Sequence, residues 1–225
     1  MFYFYLSSFV ELTSFTFNNV VIKERRVLLL MIKCLYEMQE CGIIKLAASK
    51  VDGGGDGGCS LMNFDIAPVD CAGLFLFLSH VKNLQRLFLA CNHIACLELA
   101  KFLTENDDVF QLGLSENNIT DEGVKHLCDA LKNENCKLTN LDITKNNIND
   151  EGVKHLCDAL KNENCKLTDL NLCYNKINDE GVKQLCDALK NENCKLTNLS
   201  LQCIMIKDQC VEHLYDAAKV HNIKL

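Results

Sequence analysis

The 225-residue sequence contains no tryptophan and a single proline, Pro68. That count excludes a Pro-rich, semi-rigid linker protein. Positive charge is also scarce: 23 Lys and Arg stand against 30 Asp and Glu. The deficit is local, because residues 61–225 hold 17 basic and 24 acidic side chains while residues 1–60 are balanced. An acidic surface repels phosphate backbones, so no nucleic acid is expected as partner, whereas a basic protein partner would be electrostatically welcome. There is no C-x-x-C pair with a nearby histidine to give zinc-ligand spacing, and no metal or other cofactor is expected. The apolar start MFYFYLSSFVELTSF has no basic leader and is broken by Glu11. It is too short for a membrane span and poor as a secretory signal, so no membrane association and a cytoplasmic location are expected.

Cysteine, by contrast, is abundant, at 15 residues. A disulfide scaffold would need paired cysteines in a small irregular domain. Here Cys128, Cys157 and Cys186 recur every 29 residues, as do Cys136, Cys165 and Cys194. Reduced thiols buried as small apolar side chains are the expectation. The same period governs DEGVKHLCDALKNENCKLTNL at 121–141, which returns nearly unchanged at 150–170 and 179–199, while the eight residues between copies differ widely. A repeat of this length predicts a solenoid.

Within the period, Leu138, Leu141, Ile143, Asn146 and Ile148 read L-x-x-L-x-I-x-x-N-x-I. Val109, Leu112, Leu114, Asn117 and Ile119 fit the same frame, as do Leu84, Leu87, Leu89, Asn92 and Ile94 at a shorter spacing of 25, and Leu167, Leu170, Leu172, Asn175 and Ile177. Leu61, Phe64 and Ile66 are expected to open a degenerate first unit, and Leu196, Leu199 and Leu201 the last. The pattern matches the leucine-rich repeat. Its L-x-L core predicts a short strand, and the asparagine a polar ladder at the turn: Asn92, Asn117, Asn146 and Asn175, with Ile204 ending it. Val124, Leu127, Cys128 and Leu131 form the apolar stripe of a helix with Asp121 or Thr120 as N-cap. The expected fold is α/β, a horseshoe with parallel strands on the concave face and helices on the convex face. The expected organisation is a helical lead-in over 1–50 with 1–27 unassigned, a Gly-rich linker over 51–60 around DGGGDGG, and six units over 61–225.

The copied residues cover helix, return loop and strand start, and the changing ones cover the strand centre and its exit. The scaffold is constant while the concave surface varies, which suits protein binding; duplication followed by drift at exposed sites accounts for the same pattern. Strand centres are expected at Asp65, Phe88, Gly113, Asp142, Asn171 and Ser200, with Cys91, Glu116, Lys145, Tyr174 and Cys203 three places on. The candidate partner-binding residues are Phe88, Glu116, Asp142, Lys145, Asn171, Tyr174 and Ser200. Phe88 is either an exposed aromatic anchor or packed against the first unit.

The 29-residue unit with a full helix resembles the ribonuclease-inhibitor class of leucine-rich repeat. LLLMIKCLYEMQE at 28–40 is similar to the helix leading into the repeats of NOD-like receptors, the NACHT-leucine-rich-repeat proteins. The P-x-D-C-x-x-L-x-x-x-L run from Pro68 to Leu78 resembles their first repeat. The resemblance implies a ligand-sensing or autoinhibitory arm in innate immune signalling. The nucleotide-binding module of such receptors needs G-x-x-x-x-G-K-[ST], which is absent from this sequence. No residue is expected to be catalytic. His126 and His155 give way to Gln184 at the same helical position and read as surface residues, and the acidic pairs at helix starts read as complements to the helix dipole. Two other functions share the repeat type: a ribonuclease-inhibitor-like blocker of a basic enzyme, and a GTPase activator of the Ran type, for which the repeats offer only Arg86 as a charge-stabilising arginine.

Overall fold

In a computed structural model, the described residues are 57–204 and 206–225, together with Phe15–Thr16, Leu29, Ile32, Lys33, Tyr36, Glu37, Ala48 and Val51–Asp52. Two short strands, β1 (Phe15–Thr16) and β2 (Val51–Asp52), pair in parallel. Then follow β3 (Gly58–Ser60), β4 (Arg86–Phe88), β5 (Gln111–Gly113), β6 (Asn140–Asp142), β7 (Asp169–Asn171) and β8 (Asn198–Ser200). These six form one parallel sheet in chain order. Between and after them run α1 (Cys71–Leu78), α2 (Cys96–Glu105), α3 (Asp121–Leu131), α4 (Asp150–Leu160), α5 (Asp179–Leu189) and α6 (Asp208–Lys219). The result is an α/β leucine-rich-repeat solenoid.

The sequence dictates each layer. The central residues of the strands, such as Leu87, Leu112, Leu141 and Leu170, are buried between flanking residues that face outward, because side chains alternate along a strand. On α3, Val124, Leu127, Cys128 and Leu131 are buried at the spacing of one helical face, and α4 and α5 repeat that face. Neighbouring strands lie about 4.8 Å apart and packed helices about 8–10 Å apart. The helix layer must therefore be the longer one, which puts the strands on the inside of the curve.

The first unit departs from its expected frame. Cys59, not Phe64, pairs with Leu87, and Ser60 pairs with Phe88. Gly58–Ser60 is thus strand rather than linker, and of the expected linker only residues 53–56 lie outside the described residues. Gly57 makes the entry possible: it sits at φ +71, and its carbonyl accepts the N–H groups of Gln85 and Arg86, both at 2.9 Å. Cys59 fills the leucine slot and Phe64 the asparagine slot, both buried. Asp65 is therefore not the counterpart of Phe88; Ser60, the last residue of β3, is, and Asp65 lies in the following loop with left-handed backbone. Of the expected lead-in helix, residues 29, 32, 33, 36 and 37 are helical, and the remainder lies outside the described residues. Ile32 is buried in the common core, and Lys33 reaches Asp70 at 3.1 Å, which joins this segment to the first repeat helix.

The acidic helix starts do more than complement a dipole. Thr120 makes no side-chain cap on α3. Instead Asp121 Oδ1 accepts the N–H groups of Asn149 (2.8 Å) and Gly152 (3.1 Å) from the next unit. Asp150 takes the N–H of Asn178, and Asp179 that of Lys207, both at 2.9 Å. The return loops are joined similarly. Lys166 Nζ donates to the carbonyls of Glu134 and Cys136, and Lys195 Nζ to those of Glu163 and Cys165. Asn164 and Asn193 donate to the carbonyls of Lys132 and Lys161, both at 3.0 Å.

Candidate functional site

The asparagines after the strands are almost wholly buried. Asn146 shows what each one does. Its Oδ1 accepts the N–H groups of Asn117 (3.0 Å) and Ile119 (2.9 Å) in the preceding unit. Its Nδ2 donates to the carbonyls of Leu114, Ile143 and Thr144 at 3.0–3.1 Å. Asn92, Asn117 and Asn175 bond their own and the preceding unit in the same way. Turn carbonyls and amides that water cannot reach are thereby satisfied. This ladder holds the exits of the strands in register and so positions the surface above them.

That surface has two rows. The first is the strand face itself: Phe88, Asp142, Asn171 and Ser200 project from the last strand positions. Arg86, Gln111, Asn140, Asp169 and Asn198 project from the first positions of β4 to β8, on the same side of each buried leucine. Of these five, sequence reasoning named only Arg86, and not as part of this face. The period-two alternation around Leu141 or Leu170 was the signal that identifies them. The Phe88 ring lies over Gly113, where an added Cβ would come 3.0 Å from Cδ1. Met62, Phe88 and Gly113 form the apolar end of a groove of about 330 Å³ that runs across β4 to β8. Its other end is polar. Asp142 accepts the Ser115 hydroxyl (3.1 Å) and the Thr144 N–H (3.0 Å). Asp169 accepts the Thr168 hydroxyl (2.7 Å) and the Asn198 amide, and Asn171 accepts the N–H of Cys173 (3.1 Å).

The second row lies one turn on. Asn63, Cys91, Glu116, Lys145, Tyr174 and Cys203 all have left-handed backbone, with φ between 53 and 59. Their side chains bond along the row. Lys145 meets Glu116 at 2.9 Å, and its ammonium lies 5.9 Å from the centre of the Tyr174 ring. The hydrogen bond and charge of Lys145 hold the Glu116 carboxyl below its usual range. Partial burial and then the neighbouring Glu116 raise the Cys91 thiol, and a hydrogen bond to Cys203 raises the Tyr174 phenol. The structure thus separates the candidate residues: Phe88, Asp142, Asn171 and Ser200 border the groove, whereas Glu116, Lys145 and Tyr174 are engaged with one another on its rim.

No group of three or more His, Cys, Asp or Glu able to hold a metal occurs among the described residues. The described cysteines form no disulfide, and most are buried. Burial pushes Cys96 and Cys157 up to about 12, which suppresses the thiolate that nucleophilic chemistry requires. His126 stands on the helix face, partly exposed, 3.8 Å from Glu122. No helix among the described residues is long and apolar enough to cross a membrane.

Comparison with known proteins places the repeats. A family profile described as Leucine Rich repeat matches residues 111–128, 134–157 and 163–186. Over 68 residues the chain is 40% identical to NACHT, LRR and PYD domains-containing protein 4C of Mus musculus, which is 30% of this chain and 7% of that protein. Over 59 residues it is 34% identical to NACHT, LRR and PYD domains-containing protein 14 of Homo sapiens, 26% of this chain and 5% of that protein. The matched stretches are thus a small part of these relatives. Among solved structures, leiomodin-1 actin-binding site 2 superposes with a TM-score of 0.51 at 17% identity, covering 61% of this chain and 80% of that one. At that identity the likeness shows the fold.

Proposed function

We propose that this leucine-rich-repeat protein, whose repeats resemble those of NACHT-leucine-rich-repeat proteins, is a non-enzymatic interaction module that captures a protein partner on its strand face. In this reading it serves as the ligand-sensing or autoinhibitory arm of an innate immune protein of the NOD-like receptor type, in the cytoplasm. One observation carries the proposal: the groove across β4 to β8 is open and is lined by side chains that change from unit to unit, while the bonds that hold the units together stay constant. The partial matches to NACHT, LRR and PYD domains-containing proteins support the innate immune setting.

The test is affinity capture from cell lysate with the full chain as bait, beside a Phe88→Ala/Asp142→Ala/Asn171→Ala variant of unchanged circular dichroism. A partner held by the native chain and released by the variant supports the reading. A partner held equally by both refutes the strand face as the binding surface. A second reading, a blocker of a basic enzyme, is favoured by the two aspartates in a groove whose lining, among the described residues, contains no lysine or arginine. Inhibition of a pancreatic-type ribonuclease at nanomolar chain would support it, and none at micromolar chain would dismiss it.

A further inference from the structure

This inference rests on the strand-face reading above and names the chemistry of its occupant. We infer that the groove seats an extended segment of a partner protein, with an arginine or lysine held between Asp142 and Asp169 and an apolar side chain against Phe88.

Charge is the first argument. Asp142 and Asp169 stand on neighbouring strands, β6 and β7, in diagonal register, because Asp142 pairs with Asn171 and Asp169 with Asn140. One strand spacing across and two residues along put their Cα atoms about 8 Å apart. A guanidinium or ammonium fits between two carboxylates at that separation and can bond both. Among the described residues neither carboxylate has a cationic partner. Their hydrogen bonds come from the Ser115 and Thr168 hydroxyls, a backbone N–H and the Asn198 amide. These neutral donors fix the two side chains in place without balancing their charge. The nearby Lys145 is drawn off to Glu116 on the rim. The lining of the groove among the described residues contains these two aspartates and no lysine or arginine.

The apolar end is the second argument. Phe88 projects over Gly113, and Met62 beside it is 41% exposed. From β4 to the aspartate pair is two to three strand spacings, about 10–14 Å. A peptide crossing the strands in extended form covers that distance in about three or four residues. The occupant should therefore carry its apolar and cationic side chains three or four positions apart. Backbone amides of such a segment find acceptors in Asn140, Asn171 and Asn198.

The experiment uses the full chain to select from a displayed library of twelve-residue peptides. Enriched peptides are then titrated by fluorescence anisotropy against the native chain, Asp142→Asn/Asp169→Asn and Phe88→Ala. The asparagine variants should fold, because neighbouring units already carry asparagine at both positions: Asn171 beside Asp142, and Asn140 and Asn198 beside Asp169. The expected result is enrichment of peptides pairing an aromatic or aliphatic residue with an arginine or lysine at the stated spacing. Affinity should fall about tenfold or more on the double asparagine variant, and replacing the peptide's cation by glutamine should cost nothing further on that variant. The inference is overturned if no peptide enriches, if enriched peptides lack a cation, or if the double variant weakens them less than about threefold. Loss on Phe88→Ala without loss on the asparagine variants would remove the cation slot and leave the strand-face reading standing. Insensitivity to all three substitutions would remove both. A change in molecular mass by light scattering on the asparagine variants would assign the groove to a second copy of the chain, and binding abolished by a chelator would assign it to a metal ion; either would overturn the inference.

Discussion

Replacing Asn146 by alanine removes the acceptor of two buried N–H groups, Asn117 and Ile119, and the donor to three carbonyls. An orphaned buried polar group costs about 1–3 kcal/mol. Two N–H groups set the scale at about 2–6 kcal/mol, and a water entering the vacated volume would recover part of it, so about 3 kcal/mol is expected. That is a large share of the 5–15 kcal/mol typical of a domain. In a solenoid the stability is a sum of unit terms and nearest-neighbour interface terms, and this change falls on one interface. Urea denaturation followed by circular dichroism should therefore show a lower midpoint and a shallower or split transition, as the units before and after residue 146 uncouple. Asn146→Asp tests the hydrogen bonds apart from the volume. Its second oxygen would face three carbonyl oxygens, so its folded pKa would lie above the unfolded value near 4. A carboxyl raised in the folded state weakens the fold above its unfolded pKa, and the penalty fades as pH falls below it. The aspartate variant should thus be least stable at neutral pH and regain stability in acid. A loss under about 1 kcal/mol for Asn146→Ala with an unchanged slope would refute the ladder as the link between units.

Gly152→Ala would ordinarily stabilise a helix by up to about 1 kcal/mol, but here the new Cβ would meet Asp121 Oδ1 at 2.5 Å and Ile148 Cγ2 at 2.7 Å. A net destabilisation of about 1–3 kcal/mol is expected in the same denaturation assay. Brief alkylation of the native chain at pH 8, read by mass spectrometry, should label exposed Cys203 first among the described cysteines, then half-exposed Cys91, and leave Cys128 and Cys157 untouched until urea unfolds the chain. The N–H and ammonium of Lys207 hold the Asp179 carboxyl below its usual value of 3.8. A carboxyl lowered in the folded state adds stability above its unfolded pKa and loses it as pH falls through the folded one. Asp179→Asn should therefore narrow the difference in stability between pH 7 and pH 3, as measured by urea midpoint.

The solenoid was legible because its leucines recur at a fixed period and carry their own register. The first unit hid its frame where signature residues are replaced: Cys59 stands for a leucine and Phe64 for the asparagine, so Leu61 reads as a beginning when it is the third apolar position. Phe64 is tolerated there for a physical reason. Among the described residues no unit precedes β3 in the sheet for an asparagine to bond, and an apolar side chain fills the space. The rim row could be placed by its spacing, but its conformation could not, because left-handed backbone is usually announced by glycine or asparagine, and Cys91, Glu116, Lys145 and Tyr174 announce nothing. Their conformation follows from the strand exit: the N–H groups of Cys91, Glu116, Lys145 and Tyr174 donate to carbonyls of the next unit at 2.9–3.1 Å, which over-determines the turn. Asn140, Asp169 and Asn198 were hidden differently. They lie inside the copied block and read as scaffold, although alternation turns them outward.

The inter-unit bonds also give a physical reason for copying 21 residues almost unchanged. Asp121, Asp150 and Asp179 bond the backbone at the start of the next helix. Lys166 and Lys195 bond the carbonyls of the preceding return loop, as do Asn164 and Asn193. Each side chain reaches a backbone atom at a fixed offset of 28 to 32 residues. Such a bond survives only if both units keep the same length and the same local geometry, so changing one copy alone would break contacts with the copies on either side. Two positions within the block do vary: His126, His155 and Gln184 on the helix face, and Asn140, Asp169 and Asn198 on the strand face. The first point away from the groove and take no part in these bonds. The second place a single carboxylate among amides on the groove floor, diagonal to Asp142. The one change that the scaffold admits on its inner face is thus the change that adds the second of the groove's two carboxylates.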